Sequence, residues 1–276
     1  MSEWPKISVV IATLNRSPYL KKMLDNLFKD DYPNLEVIVI DGASKDDTVE
    51  LLKSYGNKIS KWKSEPDQGE YFAINKGLQM ATGEIIKPMT DDDILRPGVF
   101  FLAAEYFATH PDIDIVFGQA ASWREENGKV SFIEESSCHP ERLSLHHWLR
   151  ETHGFNSIAA FIRSSVFRRI GLFSTEYCAG DVEYWTRAAH LRIKMGLMPQ
   201  VVVDYYYRDF MGVITKWREI ARDRFRINVR YGSIPDIAVS FWKDLAKFYI
   251  YAQLVKFENY FGFGPLRVWR KWRHRT

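Results

Sequence analysis

The sequence predicts an α/β fold with a parallel sheet and helices on both of its faces. In the first part of the chain, four short apolar segments alternate with helical patterns, which is typical of βαβ units in a doubly wound sheet. A loop with polar side chains follows each predicted strand. In such sheets ligands bind outside the carboxyl ends of the strands, so we expect the four loops to meet in one crevice.

The first two predicted strands are the clearest. Ile7 to Ala12 is β-branched and almost entirely apolar, as expected of a strand covered on both faces. The segment Thr13-Leu14-Asn15-Arg16 follows, and Ser17-Pro18 then supplies an N-cap and a proline for the start of a helix. The second strand, Leu35 to Ile40, ends at Asp41-Gly42, and the helix after it stops at Gly56.

The third and fourth predicted strands lead to acidic loops. Ile59 to Lys63 runs into Asp67-Gln68-Gly69, and a helix from Glu70 to about Met80 follows. The fourth strand ends at Asp91-Asp92-Asp93, before a helix that begins near Pro97. Carboxylates at the carboxyl edge of a sheet suit Mg²⁺ or Mn²⁺, although a solvated acidic turn or an N-cap would have the same residues. The convergence of the loops favours the metal site.

The polar loops belong to longer motifs that occur in a fixed order. These are SVVIATLNR at 8–16, EVIVIDGASKD at 36–46, SEPDQGEYFAINKG at 64–77, ATGE at 81–84 and TDDD at 90–93. Together they resemble the family-2 inverting glycosyltransferases of the GT-A fold, and the resemblance extends to about residue 208. It implies a Rossmann-like, mostly parallel sheet with flanking helices over residues 1–211, with residues 212–276 as a helical C-terminal appendage.

The resemblance also implies a function. It predicts a metal-dependent transferase that uses Mn²⁺ or Mg²⁺ and moves a sugar from a nucleotide-diphosphate sugar to a hydroxyl of a glycan or lipid-linked acceptor. A UDP-sugar is favoured, with GDP- and dTDP-sugars as alternatives. Carried over position by position, the donor or nucleotide site would contain Thr13, Asn15, Arg16, Asp41, Asp67 and Asp91, and the metal site Asp92 and Asp93. Relatives often have two carboxylates where this chain has Asp41-Gly42, so we expect base recognition to be changed or to depend on Asp41.

Asp181 is the predicted catalytic base. It stands in Ala179-Gly180-Asp181, at the predicted N-cap of an amphipathic helix, and it matches the family position that takes a proton from the acceptor. A purely structural cap is the alternative, and the two roles are compatible. Many relatives place a histidine near the metal site after a Tyr-Arg pair, but here Phe210 follows Arg208 after one residue. A third protein ligand is therefore in doubt, and Arg208 and Lys216 are weaker candidates for diphosphate contacts.

Residues 213–276 are basic and rich in aromatic side chains. They contain 14 Lys or Arg and 5 Asp or Glu, in a chain whose net charge is +3. Helices are predicted at about 213–231 and 235–258, followed by a Trp- and Arg-rich end. Such a surface suits an anionic membrane, and packing against the catalytic domain or another subunit of a homo-oligomer is the alternative. The acidic remainder of the chain argues against nucleic acid as a partner.

The composition fits a cytoplasmic protein, peripheral at the inner face of the cell membrane if the basic end binds lipid. Two cysteines are too few for a disulfide framework, and neither a signal peptide nor a membrane-spanning segment is predicted. Two other functions remain open. A catalytically silent, membrane-associated module that binds nucleotide-sugars would keep the same sheet, and a nucleotidyltransferase would require a glycine-rich phosphate loop that Ala12 to Arg16 does not provide.

Overall fold

The protein has the mixed α/β architecture that the sequence predicts, with a curled central sheet and flanking helices. This computed structural model describes residues 4–126, 129–135, 139–150, 157–207, 217–240, 242, 243 and 246. Arg208 and Lys216, the weaker candidates for diphosphate contacts, lie outside the described residues, as do Phe210 and the basic C-terminal end. Among the described residues, no helix is both long enough and apolar enough to cross a bilayer.

The first half of the fold consists of strands and helices in alternation. They are β1 (Ile7–Thr13), α1 (Ser17–Leu27), β2 (Leu35–Asp41), α2 (Thr48–Ser54), β3 (Lys61–Ser64), α3 (Glu70–Met80) and β4 (Ile85–Thr90). Strand β1 pairs in parallel with β2 and with β4, and β2 pairs in parallel with β3. This half confirms the predicted βαβ pattern, with boundaries that differ by one or two residues.

The second half is more varied. It contains β5 (Ile94–Leu95), α4 (Val99–Thr109), β6 (Ile115–Glu126), β7 (Lys129–Glu135), α5 (Leu145–Arg150), β8 (Ala160–Arg163), α6 (Ser164–Ile170), α7 (Gly180–His190), β9 (Met195–Tyr207) and α8 (Trp217–Tyr231). Strand β8 is antiparallel to both β4 and β6, and β5 is antiparallel to β9. Strand β6 is long because it continues into a hairpin with β7.

Two apolar layers enclose the sheet. Successive side chains of a strand point to opposite faces, so Val9 and Ile11 belong to one layer, which also contains Phe100 of α4. Val10 and Ile38 belong to the other layer, with Trp185 of α7. Helices α3 and α7 therefore pack on the same face of the sheet, and their first turns reach the edge where β1, β2 and β4 end.

The central strand β4 contains an unusual proline. Pro88 has no N–H to give to a neighbouring strand, and proline is normally excluded from central strands. Strand β8 pairs with β4 only at Ile85 and Ile86, so the ladder between these two strands ends before Pro88. The end of β4 is thus left open on one side, next to the candidate site described below.

The described part of the C-terminal extension packs against α7 and the loop before it. The carboxylate of Asp223 in α8 accepts a hydrogen bond from the backbone N–H of Cys178 at 2.7 Å. The Tyr231 hydroxyl donates to Glu183 of α7 at 2.6 Å. Packing on α7 and the loop before it thus accounts for the inner face of α8, while its outer face is exposed.

We expect Gly77→Ala to lower the melting temperature. A Cβ atom at position 77 would lie 2.3 Å from Val10 Cγ1, so α3 would have to move away from β1. Overpacking of this kind costs about 1 to 3 kcal/mol. Gln79→Ala, on the exposed side of the same helix, is the control for thermal denaturation. Equal melting of the two variants would contradict the close contact between α3 and β1.

Candidate active site

Hydrogen bonds join the loops after β1 and β2. The Asn15 side-chain oxygen accepts from the backbone N–H of Lys45 at 2.7 Å, and the backbone N–H of Asn15 donates to the Ser44 hydroxyl at 2.7 Å. Asn15 has a positive φ of 54°, in the left-handed region that asparagine tolerates better than most residues. These contacts fix the neighbouring Arg16 at the rim of the crevice.

The three consecutive aspartates after β4 have different surroundings. Asp91 is buried and accepts a hydrogen bond from the Thr13 hydroxyl at 2.7 Å. Asp92 is partly exposed, and its Oδ2 accepts from Arg16 Nη2 at 2.6 Å. Arg16 Nη1 also lies 3.3 Å from Asp91 Oδ1, so one guanidinium group contacts both carboxylates. Burial raises the pKa of Asp91 to about 6, although Thr13 and Arg16 oppose the shift.

Asp93 lies inside the protein. Its side chain is fully buried, with Oδ2 located 2.8 Å from the Thr90 hydroxyl. Among the described residues, its Oδ1 has no hydrogen-bond partner. Burial raises the pKa of Asp93, and the charge of Asp92 raises it further.

Lys87 provides the positive charge beneath the acidic loop. Its side chain is fully buried in β4, and its ammonium group donates to the backbone oxygens of Ile158 and Pro88. Burial lowers the pKa of Lys87, and the nearby carboxylate of Asp93 opposes this shift. Lys87 and Asp93 are therefore two buried groups of opposite charge that influence each other electrostatically under the site.

Asp41 and Asp67 lie on the side of the crevice formed by β2 and β3. Asp41 is fully buried and accepts hydrogen bonds from the hydroxyls of Ser44 and Ser64. A Cβ atom at Gly42 would lie 3.0 Å from Asp67 Oδ2. The Asp67 carboxylate thus lies close to where relatives carry a second acidic side chain.

Asp181 is in the first turn of α7 and is not its N-cap. The cap position belongs to Ala179, and no side-chain capping hydrogen bond is present. The Asp181 carboxylate instead accepts hydrogen bonds from the Tyr71 hydroxyl at 3.1 Å and the Ser157 hydroxyl at 2.5 Å. The predicted cap is therefore wrong, because tertiary contacts from α3 and the segment before β8 orient this side chain.

A cavity of about 110 Å³ connects Asp181 with the end of β4. Its wall includes Glu70, Tyr71, Pro88, Met89, Thr90, Ser157, Phe173, Asp181 and Trp185. The Trp185 indole donates to the Ser157 hydroxyl at 3.0 Å, and the rings of Tyr71 and Phe173 stack with their centres 5.7 Å apart. The first turns of α3 and α7 thus form a rigid pocket beside the acidic loop.

Sequence reasoning did not identify several residues of this site. Lys87 was visible as a charge in an apolar strand, which is a signal for a buried partner. Glu70 and Tyr71 lie in the motif SEPDQGEYFAINKG at the start of a predicted helix, where neither was assigned a role, and no motif included Ser157. The order of the chain does not reveal that Glu70, Tyr71 and Ser157 line one cavity with Asp181, because they come from distant segments.

The donor set fits a divalent ion held jointly by protein and substrate. No cluster of three or more His, Cys, Asp or Glu side chains that could hold a metal ion occurs in the described part of the chain. Mg²⁺ and Mn²⁺ accept one or two protein carboxylates when water and phosphate oxygens complete their coordination. Asp92, at the rim beside Asp91, meets that requirement better than the buried Asp93, whose role as a ligand remains a prediction.

The segment that contains the four convergent loops matches a known protein family. Residues 8–171, more than half of the chain, match the family described as Glycosyl transferase family 2. The chain belongs to this family. The matched segment includes all four loops and ends before Asp181, so the family match by itself does not assign the base.

Curated family-2 relatives are similar in sequence at a moderate level. The glycosyltransferase GlyG of Streptococcus pneumoniae is 28% identical over 220 residues, which cover 76% of this chain and 73% of GlyG. A PGL/p-HBAD biosynthesis glycosyltransferase of Mycobacterium bovis is 27% identical over 118 residues. That match covers 41% of this chain and about half, 46%, of the mycobacterial protein.

Solved structures support the GT-A fold of this family-2 protein. S. aureus TarS 1–349 in complex with UDP-GlcNAc has a TM-score of 0.65 and 18% identity, covering 87% of this chain and 72% of the TarS chain. The mannosyltransferase PcManGT from Pyrobaculum calidifontis, in complex with GDP-Man and Mn²⁺, has a TM-score of 0.63 and 21% identity. The latter match covers 99% of this chain and 85% of PcManGT.

We expect Lys87→Met to destabilise the protein more at pH 8 than at pH 5. Removal of the ammonium raises the pKa of Asp93 further. A carboxyl group whose pKa is higher in the folded than in the unfolded protein stabilises the fold at low pH. This contribution is lost as the pH rises through the folded-state pKa. At pH 8 the loss should approach the roughly 3 kcal/mol expected for one buried charge left without its partner.

Urea unfolding at both pH values measures this difference. Lys87→Met combined with Asp93→Asn is the control, because it removes the carboxylate and should recover stability at pH 8. Equal losses at the two pH values, or no recovery in the double variant, would show that the two groups do not interact.

Proposed function

We propose that the protein is a metal-dependent, inverting glycosyltransferase. It would transfer a sugar from a nucleotide-diphosphate sugar to a hydroxyl of a glycan or lipid-linked acceptor. One observation supports this most strongly: Asp181, a carboxylate on a helix outside the family-matched segment, lines the same cavity as Thr90 at the start of the acidic loop. A candidate base and a candidate diphosphate site are therefore adjacent.

The donor would occupy the side of the crevice formed by the loops after β1, β2 and β3. Thr13, Asn15 and Asp41 shape this side through their hydrogen bonds within and between loops. Asp67 is the partly exposed carboxylate beside Gly42, so we propose it as the group that faces the nucleoside. A UDP-sugar is our favoured donor, with GDP- and dTDP-sugars as alternatives, since the comparison structures contain both UDP-GlcNAc and GDP-Man.

The diphosphate would lie against Asp91, Asp92 and Arg16. Asp92 would hold Mn²⁺ or Mg²⁺ at the rim, with Asp91 near the ribose and Asp93 supporting the loop from the interior. When bound, the ion would neutralise charge that develops on the leaving diphosphate. Arg16 supplies a fixed positive charge at the same place, because its guanidinium contacts both Asp91 and Asp92.

Asp181 would remove the proton from the acceptor hydroxyl. The acceptor oxygen would form a bond to C1 of the donor sugar while the bond from C1 to the diphosphate oxygen breaks, and attack from the opposite face would invert the anomeric centre. The hydrogen bonds from Tyr71 and Ser157 hold the carboxylate in one orientation, which favours this proton transfer. A silent binding module would not need such an oriented carboxylate, and a nucleotidyltransferase would not need a base at this position.

We expect Asp181→Asn to abolish transfer while leaving donor affinity close to that of the parent. General-base catalysis contributes about 10²- to 10⁴-fold, and the base acts on the acceptor only. Asp92→Asn is the matched comparison and should lose affinity for the nucleoside diphosphate and Mn²⁺. Turnover and calorimetric donor affinity, measured on the same preparations with UDP-, GDP- and dTDP-sugars, test both expectations.

Three results would contradict this assignment. Near-parental turnover of Asp181→Asn would remove its role as base. Joint loss of turnover and donor binding in that variant would place Asp181 at the donor. Unchanged nucleotide and Mn²⁺ affinity in Asp92→Asn would remove its role at the metal.

We also propose that the C-terminal extension binds an anionic membrane surface at the inner face of the cell membrane. The outer face of α8 exposes Arg222, Arg226 and Arg230 together with Phe225 and Val229. A helix face with cations beside apolar side chains suits the headgroup region of a bilayer, where each Arg near anionic lipid contributes about 1 kcal/mol. The basic end beyond the described residues would extend this surface.

We expect the double substitution Phe225→Ser and Val229→Ser to weaken binding to phosphatidylserine vesicles at least tenfold, since apolar burial contributes to interfacial binding. Val130→Ser with Leu191→Ser is the control. Its side chains are 51% and 49% exposed, against 49% and 55% for Phe225 and Val229. Vesicle sedimentation that is equal for the two double variants would contradict membrane binding through α8.

A further inference from the structure

A second carboxylate shares the cavity with Asp181. Glu70 is the first residue of α3 and follows Gly69, whose φ of 132° is open mainly to glycine. Glu70 and Asp181 both line the cavity, and Glu70 directly follows the loop after β3. Glu70 is not among the residues predicted to act as the base, to bind the donor or to hold the metal.

The Glu70 carboxylate differs from the other carboxylates around it because no described residue contacts it as a hydrogen-bond or ion-pair partner. Among the described residues, it forms no ion pair and no hydrogen bond. By contrast, Asp91, Asp92 and Asp181 each accept at least one hydrogen bond from a side chain. The hydrogen-bonding capacity of Glu70 is therefore available to a ligand in the cavity.

The surroundings of Glu70 are negatively charged. Although its side chain is accessible to solvent, it lies in a concave surface, and the resulting dehydration raises its pKa to about 7. The charge of Asp181 adds to this shift, followed by the charges of Asp93, Asp92 and Asp91. Among the described residues, Arg16 contacts Asp91 and Asp92, and Lys87 interacts electrostatically with Asp93.

We propose that Glu70 binds the acceptor and determines which acceptors are used. It would accept hydrogen bonds from a hydroxyl or amino group on the sugar ring that presents its reacting hydroxyl to Asp181. Acceptors with a carboxylate or phosphate on that ring would be excluded, because their charge would face Glu70 and Asp181 with no free cation among the cavity's described residues. This inference rests on the proposed function, because it assumes that Asp181 faces the acceptor.

The size and walls of the cavity fit this role. The cavity of about 110 Å³ holds several water molecules, and so accommodates part of a sugar ring. The aromatic walls restrict how a sugar ring can enter the cavity. Glu70 and Asp181 are the acidic side chains among the described residues that line it. A purely structural role for Glu70, stabilising the first turn of α3, would not produce selectivity between acceptors.

The experiment compares three simple acceptors bound to the full chain in the presence of Mg²⁺ and UDP, GDP or dTDP, whichever binds by calorimetry. The probes are methyl glucoside, methyl 2-amino-2-deoxyglucoside and methyl glucuronide. Saturation-transfer NMR at pH 8 measures their affinities while Glu70 is ionised. The variants are Glu70→Gln, which removes the charge, and Glu70→Lys, which reverses it.

A matched control is available in α2. Glu50 also lies in the first turn of a helix and is exposed, but it does not line the cavity. Glu50→Gln should therefore behave like the parent in every binding measurement. This control separates an effect on acceptor choice from a general effect of charge at a helix start.

We expect the parent to bind the neutral and amino glycosides at least tenfold more tightly than the glucuronide, a difference of about 1.4 kcal/mol. Glu70→Gln should reduce this discrimination to less than threefold, and Glu70→Lys should favour the glucuronide. Unchanged discrimination in both variants, a parent that does not discriminate, or a parent that binds none of the glycosides would overturn the inference while leaving nucleotide binding intact. A parent that binds none of the three nucleotides would overturn the proposed function and this inference with it.

Discussion

The site depends on how three adjacent aspartates can share one loop. Neighbouring ionised carboxylates repel each other, and burial makes it still less favourable for them to ionise. The structure distributes them among different partners: Asp91 contacts Thr13 and Arg16, Asp92 contacts Arg16, and Asp93 faces Thr90 and Lys87. Of the three, only Asp92 is partly exposed to solvent. The position of each partner, on β1, on the loop after it or within β4, therefore decides which carboxylate is available to a ligand.

Helix α3 connects the two sides of the crevice. Its packing on β1, at Gly77 against Val10, places its first turn beside the end of β4. Tyr71 then reaches Asp181 on α7, while Glu70 remains exposed in the cavity between them. The short pairing between β8 and β4 leaves room for this arrangement. A single helix thus orients the proposed base and shapes the proposed acceptor pocket.

The sequence predicts the part of this structure that local patterns determine. Strands β1, β2 and β4 are continuous apolar runs with polar residues at their ends, so their order and the convergence of their loops follow from the general rules of parallel sheets. The reversed direction of β8 and the length of β6 depend on pairing between distant segments, which a single sequence does not encode locally. Asp181 resembled an N-cap for the same reason, because its partners Tyr71 and Ser157 lie far away in the chain. The isolated Lys87 in an apolar strand was the clearest local signal of a buried charge.

In the proposed reaction one base acts on the acceptor and no protein nucleophile attacks the donor, so the sugar should be displaced once. The most direct test is the anomeric configuration of the first transfer product, determined by proton NMR before it can equilibrate. From an α-linked nucleotide-sugar, a single displacement assisted by Asp181 predicts a β-linked product. An α-linked product would require either two displacements or attack from the side of the leaving group, and it would contradict the proposed role of Asp181.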